Sequence, residues 1–450
     1  MSCRQFATTG PLGKAPEPLQ SHLLTRSAPI PVTEPQQQAA PSRSALAFIF
    51  VTVALDVLAL GIVIPVLPKL VEGFLGGDTA HASEVYGVFG TAWALMQFVF
   101  SPLLGALSDR FGRRPVILLS CFGLGFDYVL MALAPDLTWL FVGRVISGIT
   151  AASISTAFAY IADVTPPDRR AASFGVVGAA FGLGFVLGPA AGGLLGAIEP
   201  RLPFWVAAAL SLANAMYGLL VLPESLPPER RGAFSLKHAN PLGSLVLLRS
   251  HSQLLLLAAV NFLMNLAHVV LPTVTVLYMG YRYGWDATAV GLTMAGVGAC
   301  ALIVQGLLVK PIVHGLGERA ALTTGLAFGA AGFAIYGFAP NGALFALVVP
   351  VMSLWGLAGP AAQGLMTRLV GASEQGRLQG ANSSVMGIAG MIGPGLFAQV
   401  FASFIGARAA WHLPGAPFLL AALLMVLAAG LALRLPDAHG SRDGPYTRGD

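Results

Sequence analysis

Apolar runs of about twenty residues, each ended by charges or turn residues, follow one another from residue 45 to residue 434. A helix needs about 20 mostly apolar residues to cross roughly 30 Å of hydrocarbon. Twelve runs meet that length: 45–67, 86–107, 115–134, 138–161, 173–197, 203–222, 252–279, 288–309, 320–339, 343–366, 378–402 and 414–434. No charge separates Arg319 from Arg368, and the turn Ala339-Pro340-Asn341-Gly342 divides that overlong stretch in two. The pattern predicts an all-α polytopic membrane protein. One six-helix bundle spans 44–222, a polar central loop 223–251, and a second six-helix bundle 252–435. Residues 1–43, rich in Pro, Gln and Ser with no apolar period, are expected to be a disordered tail, and 436–450 a second tail. No short apolar run near the start ends in a cleavage site, so no removable signal peptide is expected.

The two halves repeat one another at an offset of 205 residues. Asp109-Arg110-Phe111-Gly112-Arg113-Arg114 falls on His314-Gly315-Leu316-Gly317-Glu318-Arg319. Ala134-Pro135 falls on Ala339-Pro340, Gly182 on Gly387, and Gly188-Pro189 on Gly393-Pro394. Several coincidences at one offset indicate two parallel six-helix repeats. Such repeats mark transporters that rock one half against the other around a central site.

Composition sharpens this picture. Apolar residues make up 56% and charged ones 10%, against about 25% charge in a soluble globular chain, which excludes a water-soluble globule. Of the 25 Lys and Arg residues, 20 lie in segments on one side if the N-terminus is cytoplasmic. The other side holds Lys69, Arg201, Arg282 and Arg408, and Arg144 lies within a span. The bias of positive charge toward the inside therefore places both termini and the central loop in the cytoplasm, in the cell's inner (plasma) membrane. Positive charge confined to membrane-flanking loops gives no reason to expect a nucleic-acid partner; the chain is expected to be a monomer in the lipid bilayer. Of three cysteines, Cys121 and Cys300 sit inside apolar runs, so neither a disulfide framework nor a metal site is expected. No cofactor is expected either. There is no phosphate-cradling Gly-Lys-Ser/Thr motif, and the spans hold no constellation suited to an enzyme.

A charge at the centre of a spanning helix costs about 2.5–3.5 kcal/mol, so those retained are functional candidates. There are three, all in the N-terminal half: Asp56, Asp127 and Arg144. Either Arg144 neutralises one aspartate and pins helices together, or a carboxyl whose arginine contact changes between two conformations carries a proton each cycle. Two acids with one base favour the second version. The C-terminal half offers neutral polar groups instead: Asn261, Asn265, His268, Gln305, Gln363, Gln379 and Asn382. Asn261 falls where the first half has Asp56. Amides suit recognition of a polar ligand and also serve as interhelical glue. For Gln97, Asn261 and Gln305 both readings stand. His268 is a ligand or proton candidate, or a satisfied interhelical partner.

The loop Gly105-Ala-Leu-Ser-Asp109-Arg110-Phe-Gly112-Arg113-Arg114-Pro115 is the strongest local signal. Gly105 and Gly112 permit close approach or positive φ. Pro115 suits the start of the next helix. Asp109 is read as a buried group pairing with an arginine or a helix N-terminus, and the arginines as partners for headgroups or for Asp163. In the fifth span Gly178, Gly182, Gly184, Gly188, Gly192 and Gly193 form a smooth packing stripe, and Pro189 supplies a kink.

These motifs resemble a known family. The loop at 105–115 is similar to the signature of the major facilitator superfamily. Leu140-Phe141-Val142-Gly143-Arg144 through Gly148 resembles its fourth-span arginine motif, and Gly178 through Gly193 the fifth-span glycine-proline motif of its antiporters. More narrowly, Leu55-Asp56 through Pro68, Ala94-Leu95-Met96-Gln97, Phe126-Asp127-Tyr128, Gly143-Arg144 through Thr150, and Tyr283-Gly284-Trp285 resemble the tetracycline/proton antiporters. The likeness implies the major facilitator fold and a proton-coupled antiporter that exports a small amphiphilic drug, tetracycline first among them. It implies proton coupling by Asp56, Asp127 and Arg144, substrate contacts by Gln97 and Gln305, and a cytoplasmic gate containing Asp109 and Arg113. A multidrug exporter or a metabolite transporter of the same superfamily is the alternative. The chain departs from those antiporters in the ninth span, where Gly329 stands in place of an acid, and in the eighth, where Ala301 stands where many have histidine.

Overall fold

The computed structural model describes residues 43–151, 153–165, 170–232, 243–371 and 374–435. The N-terminal tail to residue 42, Cys3, residues 233–242 of the central loop and the tail from 436 lie outside the described residues. Among the described residues all regular structure is helical. The first crossing is α1 (Arg43–Val63) continued by α2 (Leu67–Phe74); α3 (Thr79–Phe111) and α4 (Arg113–Leu133) are the second and third. The fourth consists of α5 (Leu137–Thr150) and α6 (Ser153–Val164), followed by α7 (Arg170–Ile198) and α8 (Leu202–Val221). The second half begins with α9 (Ser252–His268) and α10 (Val270–Tyr283) as one crossing. Next come α11 (Ala287–Ile303) and α12 (Val309–Leu316), joined by a π-helical stretch Val304–Leu308, and then α13 (Glu318–Phe338). The tenth crossing is α14 (Gly342–Ser353), a 3₁₀ stretch Leu354–Leu357 and α15 (Ala358–Arg368); α16 (Gln375–Ile405) and α17 (Ala416–Ala432) finish the set. Among the described residues ten helices are long and apolar enough to span, and the shorter Leu137–Thr150, extended by α6, and Ala416–Ala432 bring the crossings to twelve.

Local chemistry explains the ends. Asp78, Asp136, Asp286 and Asn341 cap the second, fourth, eighth and tenth crossings, their side-chain oxygens accepting from backbone N–H groups of the first turn. At the other end Gly112 and Gly317, at φ +106° and +82°, let the chain leave α3 and α12 and start α4 and α13 at once. The repeat is visible in the backbone: α4 and α13 start at 113 and 318 and end at 133 and 338, both 205 apart. The break after Val63 likewise matches the break after His268. Pro65 lies in the first of these breaks and Pro272 just beyond the second, each without an N–H to donate.

The two halves meet along α7 against α11 and α3 against α16. A Cβ at Gly193 or Gly291 would enter the facing helix's backbone, and one at Gly182 would strike Leu302. Gly87 and Gly90 seat Pro394 of α16, and Gly387 seats Phe98. Ser83 Oγ donates to the Ala398 carbonyl at 3.1 Å, and Tyr86 Oη to the Pro272 carbonyl at 3.4 Å. These contacts run from the ends remote from the basic loops to mid-helix. Toward the basic loops a Cβ at Gly105, Gly175, Gly178, Gly306 or Gly376 would meet nothing within 4 Å. The halves are joined at one end and parted at the basic end.

The glycine stripe of α7 divides its work. Gly184, Gly188 and Gly192 pack on Val57, Gly61 and Ile62 of α1, whereas Gly182 and Gly193 serve α11. Pro189 is buried within α7 and its carbonyl touches Gly291.

Candidate functional site

The three intramembrane charges lie on three helices of the first bundle. Asp56, on α1, points at α4 and α8. Asn214 Nδ2 donates to its Oδ1 at 3.0 Å, and the Cys121 thiol lies 3.9 Å from both carboxylate oxygens. Asp127, on α4, is 1% exposed. Gly143 makes room for it: a Cβ there would sit 2.9 Å from Asp127 Oδ1. Arg144 and Ser147 are the polar groups that act on this carboxylate, yet neither of its oxygens closes a hydrogen bond of normal geometry. Arg144 is half-buried, with its guanidinium carbon 5.5 Å from the centre of the Trp93 ring. Among the described residues it forms no ion pair with either acid within 4 Å. The buried Tyr128 lies in the field of all three charges. Two carboxylates and a guanidinium thus share one bundle with no charge pair closed.

The second bundle carries a chain of amides. Asn265 Nδ2 donates to Asn261 Oδ1 at 2.8 Å, Asn261 Nδ2 to Asn382 Oδ1 at 3.5 Å, and Asn382 Nδ2 to Gln363 Oε1 at 2.8 Å. It ties α9, α16 and α15 together. His268 ends α9 at the helix break, is exposed, and has its ring 5.0 Å from that of Trp355. Gln305 is exposed in the π-helical stretch, beside Gly356 of the 3₁₀ stretch. Gln97 is half-buried on α3, and Gln379 is exposed near the start of α16. Irregular backbone at membrane depth is tolerated only where it is buried in protein or lines a cavity. Three such irregularities, at Val269, Val304–Leu308 and Leu354–Leu357, surround His268, Gln305 and Trp355. Gly329 of α13 lies under Trp355: a Cβ would sit 3.2 Å from the indole Cδ1 and Cγ. The space where the resembled antiporters place an acid is taken by an aromatic ring.

At the basic end Arg113 is the hub. Its guanidinium reaches Asp109 Oδ1 at 2.6 Å, Asp163 Oδ2 at 3.1 Å and Ser108 Oγ at 2.7 Å. Glu224, just past α8, accepts from the Arg113 and Leu226 backbone N–H groups at 2.8 and 3.0 Å, with Arg231 3.9 Å away. A Cβ on Gly112 would collide with that carboxylate. Two expectations are corrected here. The Asp109 side chain is 58% exposed rather than buried, because it sits in the last turn of α3 where the two halves part. For the same reason Gly105 makes no close approach. Arg110 lies over Phe111 at 5.3 Å. In the second half the equivalents of Arg113 and Asp163 are Glu318 and Arg368, paired at 2.9 Å with the charges exchanged. Asn214, Cys121, Trp93, Trp355 and Glu224 belong to these sites without a sequence motif. The signal for Asn214 was an amide alone in the apolar run 203–222.

A sequence model of the Major Facilitator Superfamily matches residues 49–394, more than half of the chain. The chain belongs to the Major Facilitator Superfamily. It is thus a multi-pass membrane protein of a transporter family. Among curated relatives of this superfamily chain, the tetracycline resistance protein, class C, of Escherichia coli is 38% identical over 362 residues, 80% of this chain and 91% of that one. The class D protein of Salmonella ordonez is 37% identical over 347 residues, covering 77% and 87%. Human hippocampus abundant transcript-like protein 1 is 29% identical over 393 residues, covering 83% and 76%. The human organic anion transporter MFSD10 (TETRAN) superposes with a TM-score of 0.65 at 25% identity, over 87% of this chain and 99% of that one. A bacterial Spinster homologue in an inward-facing, unoccupied conformation gives 0.71 at 16% identity, over 86% and 95%, a likeness of fold alone.

Proposed function

We propose that the protein is a proton-coupled antiporter that exports a small amphiphilic drug, tetracycline first, from the cytoplasm by alternating access. One observation carries the reading: two acids and one arginine lie inside the membrane with no charge pair among them, in a bundle that parts from its partner bundle at one end. The tetracycline resistance relatives support the substrate. The 20-to-4 bias of Lys and Arg supports a cytoplasmic basic end in the plasma membrane, with both termini inside. In this reading Asp56, Asp127 and Arg144 couple protons. Gln97, Asn261, His268 and Gln305 face the substrate, and Gly105, Asp109, Arg110, Gly112 and Arg113 form the cytoplasmic gate. The bundles 44–222 and 252–435 rock as units within a single monomer. A proton entering through 100 mV supplies about 2.3 kcal/mol, enough for between one and two orders of magnitude of drug gradient.

The test is transport in vesicles. Tetracycline should drive proton release that Asp56→Asn and Asp127→Asn each abolish, and resistance in a drug-sensitive bacterium should vanish with a proton uncoupler. Proton release surviving both substitutions would overturn the coupling assignment. The ring packed over Gly329 favours a second reading, a multidrug or metabolite carrier without tetracycline specificity. Protection across a drug panel that omits tetracycline would select it.

A further inference from the structure

We propose that Asn214 is a positioning residue for the proton step: its buried amide holds Asp56 when the acid is ionised and turns to accept from it when the acid is protonated. The proposal rests on Asp56 as a proton carrier. Asn214 lies on α8, a helix of the bundle's rear wall that packs on α1 and α4. It is 1% exposed, and its Nδ2 faces three acceptors: the Thr52 carbonyl at 3.1 Å, Asp56 Oδ1 at 3.0 Å and Cys121 Sγ at 3.7 Å. Its Oδ1 is buried and has no partner. A buried amide oxygen left unmatched is destabilising, so the site is incomplete in the state seen. Turning the amide half a turn about its last bond puts Oδ1 where Nδ2 now sits. A protonated Asp56 then supplies the missing donor, its O–H pointing at Oδ1, while Nδ2 gives up both the carboxylate and the Thr52 carbonyl. One side chain can therefore satisfy both protonation states of the acid.

The repeat shows that this amide is not needed to build the fold. Leu202-Pro203-Phe204 aligns with Ala416-Pro417-Phe418 at an offset of 214, and the Arg114 bond to the Leu219 carbonyl recurs as Arg319 to Leu433. By that register Asn214 corresponds to Ala428. At the offset of 205 Cys121 corresponds to Leu326 and Asp56 to Asn261. The second bundle closes with Leu326 and Ala428 fully buried. The amide and thiol occur only beside the acid.

Among the described residues, the ionisable groups that face Asp56 come from α4. From α4 the Cys121 thiol and the Tyr128 phenol face Asp56. Between Arg170 and Ile198 α7 has none, and the one phenol of α8, Tyr217, stacks on Phe48 at 4.7 Å. On α6, Tyr160 donates to the Pro223 carbonyl and Asp163 pairs with Arg113.

The experiment compares wild type, Asn214→Leu, Asn214→Ser and Asp56→Asn in proteoliposomes, reading tetracycline-driven proton movement from pH 5 to 9 and tetracycline counterflow, which moves no net proton. Asn214→Leu removes N–H bonds that favour the ionised carboxylate, so the pH profile should move by about one unit to higher pH. Counterflow KM should change by less than about twofold, because Asn214 is 1% exposed and faces α1 rather than a solvent-accessible surface. Asn214→Ser, which keeps a small donor and acceptor, should move the profile less in the same direction. It is the decisive variant if the leucine fails to fold. An unmoved profile in a folded variant, with only the amount of transport lowered, would overturn the proposal while leaving Asp56 as carrier. Proton movement that persists in Asp56→Asn would overturn the carrier assignment itself, and Asn214's role with it.

Discussion

Replacing Gly188 with alanine tests the packing on which the fold depends. The added Cβ would sit 2.6 Å from the Gly61 Cα, 2.9 Å from its carbonyl carbon and 3.1 Å from the Ile62 nitrogen. All three are backbone atoms, so no side chain can swing away. Carbon atoms rest at about 3.5–4.0 Å, and α1 must therefore retreat from α7 by about 1 Å. The retreat cannot stay local, because Gly184 against Val57 and Gly192 against Ile62 hold the same two helices one turn away on each side. Overpacking of this kind costs about 1–3 kcal/mol. Alanine recovers about 1 kcal/mol of helix propensity over glycine, so the net loss is at most about 2 kcal/mol. Gly178→Ala, on the same helix, meets nothing within 4 Å and should keep the propensity gain with no penalty. The assay is thermal unfolding of detergent-solubilised protein followed by tryptophan fluorescence. The Gly188 variant should melt up to about 2 °C below wild type and the Gly178 variant at or above it. Equal midpoints for the two would refute the close approach of α1 and α7.

Gly112→Ala should cost about 1–3 kcal/mol in backbone strain at φ +106° and also displace Glu224 from the Arg113 and Leu226 N–H groups. Gly317→Ala, at φ +82° with open space around it, should pay the strain alone, so its unfolding midpoint should fall less. Asp163→Asn leaves Arg113, 11% exposed at its side chain, with one charged partner fewer and should cost about 1–2 kcal/mol. Arg377→Ala breaks a 3.7 Å pair exposed on both sides and should shift the same midpoint by less than about 0.5 kcal/mol. Gly329→Asp should sharply lower the folded yield in size-exclusion profiles, because the new side chain must displace the Trp355 indole. Adding Trp355→Ala should restore that yield; a well-folded Gly329→Asp protein alone would count against the packing.

Most of the scaffold could be read from the chain because its signals are local. Apolar length, Lys and Arg placement, and turn residues located every crossing, with boundaries off by as many as seven residues at Phe74, Thr79 and Leu316, and the offset of 205 reappears in the helix boundaries. Asp56, Asp127 and Arg144 stood out because a charge in an apolar run has a cost that composition alone reveals. Their partners did not stand out. Asn214 touches Asp56 across 158 residues, and Trp355 covers Gly329 from a 3₁₀ stretch in the tenth crossing, 26 positions along the chain. Asp109 misled for a related reason. Burial of a residue at a helix end depends on whether the two bundles meet there, which is a property of the conformation rather than of the local residues.

The repeat also bears on whether the three charges hold the first bundle together. At the offset of 205 Asp56, Asp127 and Arg144 correspond to Asn261, Gly332 and Val349. In the second bundle Gly332 lets Met352 pack against α13, and Val349 is buried in the hydrophobic core. The same helices, in the same order and with nearly the same boundaries, close without any charge at these places. A structural role would require the first bundle to need what its duplicate does without, at about 2.5–3.5 kcal/mol for each charge placed in hydrocarbon. Asp127 gains no offsetting bond, since neither of its oxygens is matched. The reasoning is testable by removing two of the three charges from the first bundle. A chain carrying Asp127→Asn and Arg144→Val together should fold with a yield and melting temperature at or above wild type, and should no longer exchange drug for protons. If that protein melts several degrees lower or fails to insert, the charges are part of the scaffold, and the distinction between the two bundles is one of architecture and not of chemistry.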